Sequence, residues 1–178
     1  MKDKLRPSAG RISAKPLISP AGKEHLPEIA ALAQIIWRAH YPGIISNEQI
    51  EYMLARMYDR SVMEAELHNG IRYDRLLLQN QLLGFASYGP PAQSELKLHK
   101  LYIHPHHQRR GFGTLLLEHV IEEARRLGFA KLVLSVNKAN TKAIAAYQKN
   151  GFAICGAVAV DIGGGFVMDD FVMERLLA

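Results

Sequence analysis

Cysteine is nearly absent from this sequence: Cys155 is the single one in 178 residues, which excludes an intramolecular disulfide framework. A lone thiol suits a reducing compartment, so we expect a cytoplasmic protein. No apolar run approaches the roughly 20 residues that span a bilayer, and residues 1–19 lack the apolar stretch of a signal peptide. With 48% hydrophobic residues the chain can bury a sizeable core, which we place in one domain at residues 23–178.

An excess of positive charge is also missing from most of the chain, although its formal net charge is +5. Residues 1–23 hold six Lys or Arg and one acid, whereas residues 24–178 hold sixteen of each sign. We therefore predict that residues 1–22 form a flexible basic leader, for which nucleic acid or anionic lipid stays a possible ligand. The remainder lacks the basic face that duplex binding needs, so we expect neither a nucleic-acid nor a membrane partner.

The spacing of apolar residues predicts a mixed α/β fold in which helices cover the faces of a sheet. The predicted order is two helices, three strands, a helix, a strand, a helix and two strands. These elements lie at 23–41, 46–58, a hairpin within 73–89, 95–103, 114–127, 131–136, 140–150 and on both sides of the glycines at 163–165.

The third predicted strand has a break in its apolar alternation. Leu96 and Leu98 stand at even positions and Leu101 and Ile103 at odd ones, so strict alternation would send the second pair to the opposite face. One extra residue near His99-Lys100 returns both pairs to one face, and such an insertion is a β-bulge. A strand buried on both faces is the alternative, because phase then carries no information.

The segment QRRGFGT, residues 108–114, follows this strand and opens the next predicted helix. Backbone N–H groups at a helix start lack intrahelical partners and, with the helix dipole, favour an anion. Gly111 and Gly113 let a phosphate approach the backbone, and Arg109 and Arg110 add charge. The segment lacks the Gly-Lys-Ser/Thr of a Walker loop and the third glycine of a dinucleotide fingerprint. These residues leave a phosphate site and a plain strand-to-helix turn open.

Other conspicuous residues favour structural interpretations. Tyr147 lies on a predicted helix among apolar residues, where core packing is the default. His104, His106 and His107 have no accompanying cysteines or suitably spaced carboxylates, so we predict no metal site. We expect Cys155, in an apolar strand, to be a small buried hydrophobic residue rather than a nucleophile.

Two motifs, in the right order, resemble those of the GNAT N-acetyltransferase superfamily. LYIHPHHQRRGFGTLLL, residues 101–117, is similar to its acetyl-CoA-binding motif, a strand followed by Gln/Arg-x-x-Gly-x-Gly/Ala. VNKANTKAIAAYQKNGF, residues 136–152, resembles the next motif, Asn…Ala…Tyr…Gly-Phe. The resemblance covers about residues 70–178. LHKLYI, VNKAN and MDDFVME further resemble bacterial polyamine-type (spermidine or diamine) acetyltransferases.

The resemblance implies a GNAT-like α/β (α+β) fold: a mixed, mostly antiparallel central sheet with helices on both faces and a splayed V between the central strands. Acetyl-CoA (CoA) would lie in the V, with pantetheine along the bulged strand and pyrophosphate on the loop. The residues so implied are Leu101, Tyr102, Ile103, Gln108, Arg109, Arg110, Gly111, Phe112, Gly113, Thr114, Asn140 and Tyr147.

The implied reaction is transfer of acetyl to a primary amine by direct attack in a ternary complex. A bulge N–H near Ile103 would stabilise the oxyanion, and Tyr147 would donate a hydrogen bond to the leaving thiolate. Many family members place a glutamate base on the bulged strand, where this sequence has Lys97 and His99, with Glu95 at the strand start. We expect His99 to be the base, with a water relay or a water chain to Glu95 as alternatives.

For the acceptor we expect a cationic small molecule, of the polyamine or arylalkylamine kind. Candidates for an aromatic wall and for carboxylates at the same opening are Trp37, Tyr41, Tyr88, Glu95, Asp169 and Asp170, all of which can equally be core or solvated residues. A protein or peptide N-acetyltransferase and a non-catalytic acyl-CoA-binding module remain alternatives. Helices within residues 23–70 favour a lid over a small pocket. A homodimer stays open.

Overall fold

The computed structural model describes residues 14–92 and 94–177, which contain seven strands and five α-helices. The strands are β1 (Leu17–Pro20), β2 (Arg72–Leu78), β3 (Gln81–Ala92), β4 (Glu95–Ile103), β5 (Lys131–Asn137), β6 (Ala153–Gly163) and β7 (Phe166–Leu176). The helices are α1 (Leu26–His40), α2 (Asn47–Met57), α3 (Arg60–His68), α4 (Phe112–Arg126) and α5 (Thr141–Lys149).

The seven strands form one sheet in the order β1-β2-β3-β4-β5-β7-β6. Every neighbouring pair is antiparallel except β4 and β5, which are parallel. One apolar cluster packs α1, α2 and α3 on one face, and a second packs α4 and α5 on the other. The predicted mixed, mostly antiparallel sheet with helices on both faces is confirmed. None of the described helices has the length and apolarity to cross a membrane.

The first two predicted helices form where their apolar stripes indicate. Along α1, Leu26, Ile29 and Ile36 are among the residues that recur at helical spacing and are buried against the sheet. The cap of α2 is Ser46, whose hydroxyl accepts a hydrogen bond from the backbone N–H of Gln49 at 3.1 Å. Together these helices form most of one face of the molecule.

Two elements were missing from the sequence-based prediction. Leu17–Pro20 pairs with β2 as an edge strand, so a flexible leader as far as residue 22 is wrong for this stretch. The strand has four residues and ends in proline, which gives almost no alternation to detect. Helix α3 was also missed, since Met63 is its one fully buried residue among those described. Residues 1–13 of the predicted leader lie outside the described residues.

Strand β6 forms one edge of the sheet and changes the interpretation of Cys155. The residues from Ala153 to Asp161 are all exposed, and β6 has β7 on one side and no described strand on the other. Cys155 is therefore exposed, and the prediction of a buried thiol is wrong. An apolar strand sequence does not distinguish a central strand from an uncovered edge strand.

Candidate active site

The predicted bulge in β4 is confirmed, and His99 is the extra residue. Lys100 pairs with Ser87 and Leu98 pairs with Tyr88, so two adjacent residues of β3 face three of β4. The bulge brings Leu96, Leu98, Leu101 and Ile103 into the same apolar cluster, beneath α4 and α5. The apolar phase of the sequence was therefore sufficient to locate the bulge.

Strands β4 and β5 separate immediately beyond the bulge. Their parallel pairing runs from Glu95 with Lys131 to Leu98 with Leu134 and then stops, although both strands continue. The separation opens a cavity of about 1010 Å³. Along Leu101–Ile103 the side of β4 that faces β5 has no ladder partner among the described strands, so its backbone groups, apart from the Ile103 carbonyl that Gln108 contacts, are available to a ligand. The predicted V between the central strands is thus present.

The cavity brings together most of the residues predicted for the site. Those that line it are Trp37, Tyr41, His99, Leu101, Tyr102, Ile103, Gln108, Arg109, Gly111, Gly113, Thr114, Asn140, Tyr147 and Asp170. The side chains of Arg110 and Phe112 instead contact each other, with the guanidinium carbon 5.5 Å from the ring centroid, and neither residue lines the cavity.

The loop before α4 has two backbone features that a bound anion would need. Gly111 caps the helix with φ +83°, a conformation that residues with a Cβ rarely adopt. Gly113 has no such requirement: a Cβ built there meets only Ile103 Cγ1, at 3.8 Å. The fold itself thus leaves room at Gly113, beside the unpaired N–H groups of the first helical turn. Gln108 donates from Nε2 to the carbonyl oxygen of Ile103 at 3.1 Å and ties this loop to β4.

The two predicted residues of α5 have structural contacts as well as positions on the cavity wall. Asn140 is buried and caps the helix, with Oδ1 accepting from the N–H of Ala143 at 3.3 Å. The ring of Tyr147 packs against Phe152, with centroids 5.6 Å apart. Burial raises the pKa of Tyr147 above that of a free phenol, so the hydroxyl keeps its proton at neutral pH. Its expected core packing and its cavity position are therefore compatible.

His99 lies in the cavity beside a buried charge network. Solvent reaches its side chain inside the cavity, but burial against the surrounding protein, with the positive charges of Lys97 and Lys100, lowers its pKa to about 4. The Lys100 ammonium donates to both carboxylate oxygens of Glu66, at 2.8 and 2.7 Å, and to the hydroxyl of Tyr73 at 2.8 Å. Burial lowers the pKa of Lys100, and Glu66 opposes this shift.

This lysine network was absent from the sequence-based prediction. Placing the bulge at His99 turns Lys100 toward α3, where a buried ammonium requires a carboxylate partner. That partner, Glu66, lies on the helix that the apolar pattern did not reveal. From the bulge, the direction of the Lys100 side chain could have been predicted from the sequence. Its partner Glu66 could not, because the helix that carries it was not detected.

The aromatic residues predicted at the acceptor end are partly in place. The rings of Trp37 on α1 and of Tyr41, just past the end of α1, contact each other with centroids 4.4 Å apart, and the hydroxyls of Tyr41 and Tyr102 are 3.1 Å apart. Tyr88 lies elsewhere: it is buried and its hydroxyl donates to Asp74 Oδ2 at 2.6 Å beside a separate cavity. The prediction that Tyr88 shares the opening is wrong, because the strand phase directs it to the α4 face.

One of the three candidate carboxylates reaches the cavity. Asp170 lies on β7, is 4% exposed and lines the cavity. Glu95 is at the far end of β4, where its carboxylate is 2.9 Å from the Lys131 ammonium, so its predicted place at the opening is wrong. Asp169 is exposed and pairs with Lys138. Alternation along β7 sends the two adjacent aspartates to opposite faces.

The three histidines form a compact turn at the cavity mouth. His104 Nδ1 accepts a hydrogen bond from the N–H of His106 at 3.2 Å, and His107 Nδ1 lies 3.2 Å from Arg110 Nη1. Within residues 14–92 and 94–177, no three His, Cys, Asp or Glu side chains gather as metal ligands would.

Comparisons with known proteins agree with this geometry. A model of the acetyltransferase (GNAT) family matches residues 29–152, and the chain therefore belongs to that family. The spermidine N(1)-acetyltransferase of Thermoplasma acidophilum is 25% identical over 157 residues, which cover 85% of this chain and 91% of that protein. The crystal structure of a PaiA N-acetyltransferase from the same organism, in complex with coenzyme A, has a TM-score of 0.77 at 24% identity and covers 91% of this chain and 99% of its own.

A further relative shares a shorter segment at higher identity. The ribosomal protein bS18-alanine N-acetyltransferase of Escherichia coli (strain K12) is 37% identical over 76 residues, 43% of this chain. The match spans 51% of that relative's length, so this chain aligns with about half of the relative.

Proposed function

We propose that this protein transfers the acetyl group of acetyl-CoA to the primary amine of a small, cationic molecule. The observation that carries the proposal is the separation of β4 from β5 beyond the His99 bulge, beside an α4 start with room for a phosphate. A slot lined by free strand backbone and ending at a helix N-terminus suits a long ligand with a phosphate near one end. The family membership and the relatives' acetyltransferase names support the same reaction.

The cavity residues fit acetyl-CoA, which supplies an activated thioester when bound. Leu101, Tyr102 and Ile103 would bind the pantetheine arm through their backbone, and the loop from Gln108 to Thr114 would hold the pyrophosphate. Arg109 and Lys142 line the same cavity and supply positive charge. Asn140 and Tyr147 would contact the arm from α5. For Arg110 and Phe112 we propose backbone contacts alone, since their side chains contact each other.

Two groups near the thioester position would act on charge and protons. A backbone N–H near Ile103 would donate to the carbonyl oxygen as negative charge grows there. The Tyr147 hydroxyl would donate a hydrogen bond to the departing thiolate. It stabilises that thiolate rather than protonating it fully, because a phenol with a raised pKa is a weaker acid than a thiol.

His99 remains the proposed proton acceptor, with one refinement. A pKa of about 4 keeps its ring neutral at physiological pH, so it can accept a hydrogen bond from the amine. The same low pKa makes it a weak base toward an amine of pKa near 10. We therefore propose that His99 passes the proton to water and does not retain it.

A small acceptor is favoured over a peptide by contacts that close one side of the acceptor end. From α2, Gln49 Nε2 donates to the carbonyl oxygen of Val167 at 3.1 Å, and the Tyr52 hydroxyl donates to that of Ile162 at 2.7 Å. These bonds hold α2 against the β6–β7 hairpin, which supports a small acceptor, since a peptide would need an open groove along this side. The bS18-alanine relative supports the alternative of a protein acceptor.

A panel of acceptors tests the proposal. The assay measures CoA thiol release from acetyl-CoA with polyamines, arylalkylamines, amino acids, aminoglycosides and peptides. We expect release with small cationic amines and little with peptides. Release with no acceptor, despite acetyl-CoA binding, would support a non-catalytic acyl-CoA-binding module. A cytoplasmic location remains part of the proposal.

A further inference from the structure

The charges on the cavity wall are strongly unbalanced. Among the described residues that line it, Asp170 is the one carboxylate, whereas Lys100, Arg109 and Lys142 are basic. The Lys100 charge is compensated by Glu66. Arg109 and Lys142 belong to the loop before α4 and to α5, the end that we assign to CoA. The acceptor end therefore offers a cation a single counter-charge.

Asp170 also has no directly bonded counter-charge among the described residues. No other residue within 14–92 and 94–177 forms a hydrogen bond or ion pair with its side chain, although it is 4% exposed. Burial and the neighbouring Asp169 raise the pKa of Asp170, while Lys97 and Lys138 act in the opposite direction. Lys138 is itself paired with Asp169. A buried carboxylate in this condition is stabilised by a cation that enters the cavity.

The surroundings of Asp170 are apolar or aromatic. Met168 lies two residues before it on the same face of β7, and Met53 and Met57 line the cavity from α2. Trp37 of α1 and Tyr41, the residue after α1, also line it. Methionine side chains adapt to apolar ligands of irregular shape, and aromatic faces attract cations. This wall can thus accept an apolar body next to one positive charge.

We infer that the acceptor is an amine with a single positive charge on an apolar or aromatic body, bound with its ammonium at Asp170 and its body against the methionine and aromatic wall. The inference rests on the proposed function and narrows its substrate class. A polyamine would bring further ammonium groups into a cavity that has no second carboxylate among its described lining residues. Burying those charges unpaired opposes binding.

The reaction of such an amine balances with the groups present. The ammonium loses one proton through His99 and water, and the freed nitrogen lone pair forms the N–C bond to the acetyl carbonyl. The C–S bond breaks and its electron pair leaves with the CoA sulfur. The nitrogen, now bonded to the acetyl carbon, loses its second proton to that sulfur, so the products are the neutral acetamide, the CoA thiol and the one proton released through His99. The positive charge held at Asp170 disappears in the reaction, which favours product release.

The experiment compares two amines and two matched variants. Steady-state kinetics are measured with 2-phenylethylamine and spermidine for the wild type, Asp170→Asn and Asp169→Asn. Asp169→Asn removes the same charge one residue away, on the opposite face of β7 and outside the cavity. For the wild type we expect kcat/KM to be at least about 10-fold higher with 2-phenylethylamine, the equivalent of one charged hydrogen bond.

Asp170→Asn should raise the KM for 2-phenylethylamine by about 10- to 100-fold and leave the KM for acetyl-CoA unchanged, because one charge-assisted contact is lost. Asp169→Asn should change either constant by less than about 2-fold, as expected for an exposed ion pair. Preference of the wild type for spermidine would overturn the inference without any variant. Equal effects of the two variants would also overturn it. CoA release with peptides alone would overturn both this inference and the small-molecule proposal.

Discussion

At the scale of single residues, Tyr147 is the sharpest test of the chemistry. Tyr147→Phe keeps the ring that packs on Phe152 and removes only the hydroxyl. We expect kcat to fall on the order of 10- to 1,000-fold with little change in the KM for acetyl-CoA, since the hydroxyl acts as the thiolate forms. Steady-state kinetics and a melting curve measure both properties. Unaltered turnover in a destabilised variant would make Tyr147 a core residue alone.

His99 gives a prediction about pH. Its low pKa means that the basic form is lost only as pH falls through about 4, so His99 should cause no titration of kcat/KM between pH 5.5 and 8. Any change of kcat/KM with pH in that range is then caused by titration of the amine substrate or of another group of the protein. His99→Gln should lower the plateau more than about 3-fold and leave the shape of the profile in that range unchanged.

A smaller loss in His99→Gln would favour a water relay without a single base. A wild-type limb near the ordinary histidine pKa of about 6.5, absent from the variant, would contradict the lowered pKa of His99 and retain it as the base. The pH–rate profiles of both proteins distinguish these outcomes.

At the scale of elements, glycine substitutions at the start of α4 test whether this turn binds acetyl-CoA, and a substitution at the end of α4 serves as the control. Gly113→Leu keeps an ordinary backbone conformation and fills the space that we propose for the phosphate. Gly111→Leu adds backbone strain as well. Gly128, with φ +81° near the end of α4, is a matched control for that strain. We expect acetyl-CoA to raise Tm in the wild type and in Gly128→Leu, and to leave Tm unchanged in the other two variants.

The size of the shift follows from mass action. At about 100 times Kd the ligand adds about 2.7 kcal/mol to the free energy of unfolding, which is roughly 5–10 °C in Tm for a chain of this size. Thermal denaturation with and without acetyl-CoA provides the measurement. An undiminished shift in Gly113→Leu would remove the loop from the binding site.

Among the elements, the bulge in β4 could be predicted from the sequence and helix α3 could not. The phase of Leu96, Leu98, Leu101 and Ile103 located the bulge, because a face that must be buried fixes the position of any insertion. The motif at 101–117 placed the turn from β4 into α4 where the structure has it. Helix α3 left no comparable trace, since it buries a single residue completely among those described.

Side-chain direction was harder to predict than strand position. Glu95 and Asp170 were both predicted near strand ends at one opening, but Glu95 pairs with the first residue of β5 and Asp170 with the last, so they lie at different ends of that strand. Predicting the face on which Tyr88 lies required knowledge of the register between β3 and β4, which the bulge shifts. Such contacts depend on long-range pairing and therefore cannot be read from local spacing.

At the scale of the whole molecule, the outer edge of β6 bears on assembly. Its segment from Ala153 to Val160 carries no charge and exposes Ile154, Val158 and Val160. An edge of this kind pairs readily with another strand. We propose that a second copy pairs there, antiparallel and about a two-fold axis, so that apolar residues face apolar residues.

Light scattering tests the proposed dimer with a matched pair of lysine substitutions. Val158 and Val62 are both 37% exposed, the first on β6 and the second on α3. Val158→Lys should give the mass of one chain, while the wild type and Val62→Lys give the mass of two. A wild type of single-chain mass at high protein concentration would contradict the proposal.

The central claim is direct transfer from acetyl-CoA to an amine inside the β4–β5 cavity. Mass spectrometry after incubation with acetyl-CoA that carries a deuterated acetyl group, and with 2-phenylethylamine, tests it most directly. We predict that the labelled amide forms in an amount equal to the CoA released, with no label on the protein. Label on the protein as an intermediate, or CoA release without labelled amide across the acceptor panel, would contradict the claim.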